Sequence, residues 1–165
     1  MEAKFGNKRM QRTGNIGVEN LQQQTNALAP WFQNIRMVGL KTAALHFLGG
    51  YPKVKYERFG NSLPADMSDL GVLDIGSNTG PYPIEIKRRN GALVPGIDVN
   101  EHYLRQARLC AEVTGLDISF ECLSMWDVGV LQELFDRVIF LGLLPPATSA
   151  TRTMRRTGGC QSSVR

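Results

Sequence analysis

The segment Val72-Leu73-Asp74-Ile75-Gly76-Ser77-Asn78-Thr79-Gly80 constrains this chain more than any other. A short apolar run ends in a turn with two glycines, and a helical pattern follows over residues 84–89. Glycine is needed where backbone bends tightly or lies close to a ligand. The same texture then repeats. Residues 92–97 are apolar and end at Asp98. Glu101–Thr114 is amphipathic, with Tyr103, Leu104, Ala107 and Ala111 on its apolar side, Asn100 as its N-cap and Gly115 as its stop. Residues 118–123 predict a strand, 130–135 a short helix and 137–141 a further strand. Continuous apolar strands separated by helices predict parallel pairing in an α/β fold covered on both faces. Right-handed crossovers make that an open, mostly parallel, doubly wound sheet. Ligands of such sheets bind beyond the carboxyl ends of the strands.

The rest of the chain narrows the class. Its 165 residues suit one domain, and 42% hydrophobic with 21% charged residues is enough for a core. The net charge of +4 suggests nucleic acid, but its location argues otherwise. Residues 143–165 hold Arg152, Arg155, Arg156 and Arg165 and no acid; without them the 19 basic residues fall to 15, against 15 acids. The basicity belongs to the tail. Cys110, Cys122 and Cys160 are odd in number and lack metal-ligand spacing, so they read as buried or incidental thiols, with no metal site. No apolar run approaches a membrane span, and the N-terminus lacks the apolar core of a signal peptide, so a cytoplasmic protein is expected. Residues 1–20 read as a flexible lead-in and 21–70 as a helical and loop extension, weakly helical over 21–46 with Pro30 as a break. Residues 71–142 read as the ligand-binding half-domain, and 143–165 as a disordered basic tail.

The turn carries an acid where a dinucleotide fingerprint carries none. It reads D-x-G-x-x-x-G rather than G-x-G-x-x-G. Asp74 disfavours a pyrophosphate and suits a ligand bearing an ammonium group, with Gly76, Ser77, Asn78 and Gly80 forming the bend. A purely structural strand-to-helix turn is the alternative. Asp98 ends the second strand 24 residues later, with Val99 beside it. An acid there can accept both hydroxyls of a ribose, or it can cap the next helix. After the third strand come Ser124, Met125, Trp126 and Asp127, which offer an apolar flank and polar partners for adenine; a packed Trp with a capping Asp is the alternative. Leu141 and Gly142 end the fourth strand.

Residues 28–142 resemble a bacterial family of class I methyltransferases related to the enzymes that alkylate the wobble uridine of tRNA. Pro30-Trp31-Phe32, His46-Phe47-Leu48-Gly49, Leu73-Asp74-Ile75-Gly76, Glu85-Ile86-Lys87-Arg88-Arg89, Gly96-Ile97-Asp98, residues 103–108 and Phe135-Asp136 carry the resemblance. It implies a Rossmann-like fold of seven strands, of which this chain supplies about four. It implies S-adenosylmethionine as cofactor, or a carboxylated form of it, and a tRNA or small-molecule acceptor. Asp74 and Gly76 would then orient the methionine part, Asp98 the ribose, and Met125, Trp126 and Asp127 the adenine, with Leu141-Gly142 beneath the methyl. Lys55-Tyr56 is similar to a lysine–aromatic pair that precedes the domain in the tRNA branch; a solvated lysine is the alternative. No catalytic base is assigned. The chain departs from the family at Ser77, Pro81 and Pro83, at an inserted Asn90, and at Pro95 inside the second strand.

After Gly142 the resemblance stops. Residues 144–150, Leu-Pro-Pro-Ala-Thr-Ser-Ala, can be encoded CTA CCA CCT GCG ACA TCC GCT. Read one base later, that string gives Tyr-His-Leu-Arg-His-Pro-Leu, which is the family's continuation. A frameshift near Leu143 is therefore expected, with a truncated methyltransferase as its product. The readings that follow are an active transferase, a catalytically inactive binder of the same cofactor, a nicotinamide enzyme on a similar sheet, and an inert fragment.

Overall fold

Four short strands pair in parallel, each contributing a buried apolar residue. In the computed structural model, which describes residues 18–37, 40–42 and 50–141, the chain runs α1 (Val18–Ala27), β1 (Arg36–Met37), β2 (Leu40–Lys41), α2 (Tyr51–Phe59), β3 (Val72–Ile75), α3 (Pro81–Arg88), β4 (Gly96–Asp98), α4 (Glu101–Thr114), β5 (Phe120–Cys122) and β6 (Arg137–Phe140). β1 and β2 form a small antiparallel pair. The other strands form one sheet in the order β5-β4-β3-β6, with every neighbour parallel. The chain steps outward from β3 to β5 and then crosses back to β6 on the other side of β3. That reversal opens a crevice at the carboxyl end of β3.

The helices form where local chemistry allows. Asn100 caps α4 by accepting from the His102 N–H at 3.0 Å, and Gly115, at φ 66°, ends it. Leu104, Ala107 and Ala111 of α4 pack on Phe120 of β5. On the other flank, Tyr82 and Ile86 of α3 pack with Val72 of β3 and Ile139 of β6. α3 starts on Pro81, where a missing N–H loses no helical bond. The extra Asn90 takes a left-handed φ of 66° just past the helix and donates to Asp66 Oδ1 at 3.1 Å. An insertion is absorbed there because Asn tolerates that conformation.

Three expectations are corrected. Among the described residues of 21–46, those beyond Ala27 are not helical: the chain forms the antiparallel β1–β2 pair. Two side chains hold the reversal. Trp31 Nε1 donates to the Thr25 carbonyl at 2.8 Å, and the fully buried Gln106 of α4 donates to the carbonyls of Leu28 and Pro30 at 2.6 and 2.9 Å. Residues 130–135 are not a helix: a 3-10 turn spans Met125–Val130, and irregular chain follows. Leu134 is 95% exposed, so that stretch has no buried face to hold a helix. The second strand begins at Gly96, not at residue 92. Pro95 still accepts from the Asp74 N–H at 3.0 Å, but it has no N–H to return.

Residues 1–17 lie outside the described residues, so the lead-in reading concerns the structure only where α1 already begins at Val18. Residues 43–49, 142 and 143–165 lie outside them too, including the His46–Gly49 stretch and the tail. Cys110 is buried, as expected of an incidental thiol, and Cys122 is disulfide-bonded, which the cysteine count did not signal.

Candidate functional site

The turn after β3 is held by its own backbone. Gly76, Asn78 and Gly80 adopt φ of 73°, 51° and 75°. The N–H groups of Gly76 and Ser77 both donate to the Ile97 carbonyl, at 2.8 and 2.9 Å. Asn78 N–H donates to Asp98 Oδ2 at 2.9 Å, Thr79 N–H to Asn78 Oδ1 at 2.8 Å, and Gly80 N–H to the Ser77 carbonyl at 2.9 Å. Every N–H from Gly76 to Gly80 is therefore engaged, and Pro81 and Pro83 have none to offer. A helix N-terminus binds phosphate through free N–H groups, so this turn is poorly made for an anion.

Its side chains are made for a cation. Asp74 is 1% exposed and its Oδ2 has no hydrogen-bond partner among the described residues. The Ser77 hydroxyl beside it is buried and likewise unpartnered. Burial, and then the neighbouring Asp98 carboxylate, push the Asp74 carboxyl up to about 8. A buried polar atom without a partner is unfavourable, and an ammonium group supplies what Asp74 lacks. The donor set thus fits the methionine part of S-adenosylmethionine. Asp98 stands at the end of β4. Its Oδ1 accepts from Asn100 N–H at 2.9 Å and its Oδ2 from Asn78, so it braces both the turn and the start of α4. Each carboxylate oxygen keeps a second lone pair for a hydroxyl.

Apolar walls stand at the neighbouring strand ends. Val99 after β4 is more than half exposed, and Trp126 after β5 is 72% exposed, with Met125 half-buried between. Ser124 accepts from the Trp126 N–H at 3.3 Å and so begins the 3-10 turn, while Asp127 faces solvent. Leu141 packs at the edge of the cluster around Val72 and Ile139; Gly142 lies outside the described residues. Asp74, Gly76, Ser77, Asn78, Gly80, Asp98 and Val99 converge at the carboxyl ends of β3 and β4, with residues 124–127 following β5.

Lys55 and Tyr56 sit on α2. Lys55 Nζ lies 4.6 Å from the centre of the Tyr51 ring. Tyr56 joins an aromatic cluster, 5.2 Å from Phe59 and 6.4 Å from Tyr82 by ring centres, with Arg89 over its ring. Burial raises the Tyr56 phenol. Tyr82 links this pair to the turn, and burial and Asp74 push its phenol up to about 12. A cavity of about 420 Å³ runs between α2 and α3. It reaches Arg88 and Thr114, the C-terminal ends of α3 and α4. Those helices run back from the strand ends, so that part of the cavity lies away from Asp98.

Three contributors escape the motif reading. Gln33 accepts from the buried Thr79 hydroxyl and ties the N-terminal segment to the turn. Gly96 makes room for it: a Cβ there would come within 2.9 Å of Ser77 Cβ and 2.8 Å of Phe120. Tyr82 of α3 is buried, with Asp74 close enough to raise its phenol. Only Gly96 carried a signal, as a glycine inside an apolar strand. Among the described residues no group of His, Cys, Asp and Glu could hold a metal, and no helix is long and apolar enough to cross a membrane.

A family described as a methyltransferase domain matches residues 72–157, past the point where the sequence resemblance stops. The ubiquinone biosynthesis O-methyltransferases of Neisseria meningitidis serogroup C (strain 053442) and serogroup A / serotype 4A (strain DSM 15465 / Z2491) are each 38% identical over 65 residues, 39% of this chain. The chain spans 27% of the length of these relatives. Among solved structures, the N-terminal domain of EvdMO1 with SAH bound superposes at a TM-score of 0.59 and 21% identity, over 73% of this chain and 52% of that one. EvdMO1 itself gives 0.51 at 22% identity, over 76% and 28%. At such identities the likeness is of fold, and that fold is the Rossmann-like parallel sheet described above. With the family match covering just over half its residues, the chain belongs to the methyltransferase-domain family.

Proposed function

We propose that this chain binds S-adenosylmethionine at the carboxyl ends of β3, β4 and β5, and serves as the cofactor half of a methyltransferase. One observation carries the reading: the buried, unpartnered carboxylate oxygen of Asp74 beside the unpartnered Ser77 hydroxyl, in a turn with no free N–H groups. When bound, the cofactor supplies an electrophilic methyl group on a sulfonium. Methyl transfer is a displacement, so the chain's contribution is placement and electrostatics. Asp74 holds the ammonium end. Asp98 orients the ribose hydroxyls while keeping the turn fixed through Asn78. Val99 and Met125 flank the adenine, with Ser124 and Asp127 at its polar edge.

For the acceptor, the name shared by the curated relatives, ubiquinone biosynthesis O-methyltransferase, supports transfer to an oxygen. A tRNA acceptor, and with it a carboxylated cofactor held by Lys55 and Tyr56, is the second reading, supported by the Lys55-Tyr56 pair and by the placement of Tyr56 against Tyr82. Calorimetry with S-adenosylhomocysteine, S-adenosylmethionine and NAD tests the cofactor. Binding of the first two at one site per chain, with NAD much weaker, is expected. NAD binding more tightly than either overturns the proposal. Methyl transfer from labelled S-adenosylmethionine to hydroxylated aromatics or to tRNA decides between the acceptors; binding without transfer to either favours a binder that catalyses nothing.

A further inference from the structure

Asp74 is an unusual group to leave in a folded chain. Its carboxyl is almost wholly buried, and Oδ2 meets no donor among the described residues. Among the described residues, the titratable groups coupled to it are an acid and a phenol. Asp98 of β4 is the charge that acts on it. Tyr82 of α3 is a buried phenol raised to about 12, which stays neutral. From β6 the paired residue is Ile139, which does not titrate. No cation of the described residues is among the groups that shift Asp74. Two carboxyls this close, one desolvated, do not both hold charge easily. Asp98 accepts from two backbone N–H groups, whereas Asp74 Oδ2 accepts from none among the described residues.

We propose that Asp74 is a charge-sensing specificity residue: it carries a proton in the chain without cofactor, and surrenders that proton to solvent when the cationic amino-acid end of the cofactor docks. This rests on the cofactor reading above. No bond other than O–H breaks, the proton goes to the buffer, and the ammonium takes its place as the partner of the carboxylate. A nucleoside lacking the amino-acid part gives no such exchange. The site therefore discriminates by charge as well as by shape, because a neutral ligand leaves Asp74 protonated.

Burial and Asp98 hold the Asp74 carboxyl near 8, and the α-amino group of the ligand's amino-acid end, beside its own carboxylate, is protonated at pH 6.5. Titration calorimetry of the full chain at pH 6.5, in two buffers of different ionisation enthalpy, counts the protons released. S-adenosylhomocysteine is expected to release about one proton per site, and its affinity to rise about ninefold from pH 6 to pH 7. 5′-Methylthioadenosine is expected to release none. Heats with S-adenosylhomocysteine that do not depend on the buffer, or equal release with both ligands, overturn the inference and leave the cofactor reading standing. No heat with S-adenosylhomocysteine overturns the cofactor reading itself. A readout independent of ligand is the side-chain carboxyl carbon signal of labelled aspartate. One such signal should titrate near pH 8 in the chain alone and vanish in Asp74→Asn; a full set of aspartates titrating below pH 5 refutes the protonated state.

Discussion

Gly80 is the residue on which turn, helix and sheet all depend, and its replacement by alanine has a magnitude that the structure lets us work out. Its φ is 75°, a left-handed conformation that an L side chain resists by about 1–2 kcal/mol. A Cβ there would lie 2.7 and 2.9 Å from ring atoms of Phe120 and 3.2 Å from the Ala107 Cβ. Phe120 is buried between α4 and the sheet, so its ring cannot swing aside freely. Overfilling a packed core adds about 1–3 kcal/mol. Gly80→Ala should therefore destabilise by about 2–5 kcal/mol, a large part of the roughly 5–15 kcal/mol that holds a domain. Urea unfolding followed by far-ultraviolet circular dichroism measures it. The two contributions separate in a double-mutant cycle with Phe120→Leu. Removing the ring should relieve the clash, so the double variant should be about 1–2 kcal/mol more stable than the sum of the singles. A loss under 0.5 kcal/mol for Gly80→Ala refutes the reasoning, and a strictly additive cycle refutes the clash.

Asp74→Asn should alter how stability depends on pH. The folded carboxyl sits near 8 and the unfolded one near 3.8, so the folded chain keeps a proton that the unfolded chain has lost. This contribution is fully present below the unfolded value and is lost as pH rises through the folded one. The wild type should thus lose up to about 1.4 kcal/mol per pH unit between pH 5 and 8, relative to Asp74→Asn, and level off above; parallel urea midpoints for the two chains refute it. Gln106→Leu leaves the Leu28 and Pro30 carbonyls without their donor and should destabilise by about 1–3 kcal/mol. Limited proteolysis should then cut between α1 and β1 faster than in the wild type, and an unchanged cleavage rate argues against that clamp. Asp98→Ala removes the acceptor of Asn78 and Asn100 together with the proposed ribose contact. It should lower both urea stability, by about 1–3 kcal/mol, and S-adenosylhomocysteine affinity, by tenfold or more. Full affinity in a folded Asp98→Ala sinks the ribose role.

Much of the fold was legible because its signals are local. α4 shows its apolar side, its Asn100 cap and its Gly115 stop within one stretch, and the structure puts the helix over the same residues. The strands were legible as apolar runs, though their ends were not: Pro95 trims β4 through a donor that only its neighbour strand makes necessary. The β1–β2 hairpin was hidden because it is held from a distance. Gln106 reaches back 78 residues to Leu28, and no window around Leu28 contains that information. The helix expected over residues 130–135 is absent for the opposite reason. Its apolar residues look helical, but exposed Val130 and Leu134 have nothing to pack on. At the site, the motif placed Asp74 and Asp98 at adjacent strand ends. It could not reveal that Asp98 is spent partly on the backbone, nor that Asp74 Oδ2 meets no donor among the described residues.

That contrast explains how the turn can carry an acid that works against folding. The geometry of the turn rests on Ile97, Asp98 and Ser77 as acceptors and on left-handed Gly76, Asn78 and Gly80. The side chain of Asp74 takes no part in it; only its N–H does, in the ladder to Pro95. A group outside the frame can be unfavourable without loosening the frame. Folding and ligand recognition are therefore separable at position 74 and inseparable at position 98. Asp74→Asn should change cofactor affinity and proton release while the turn keeps its shape, whereas any change at Asp98 that disturbs the ribose contact also disturbs Asn78 and the start of α4.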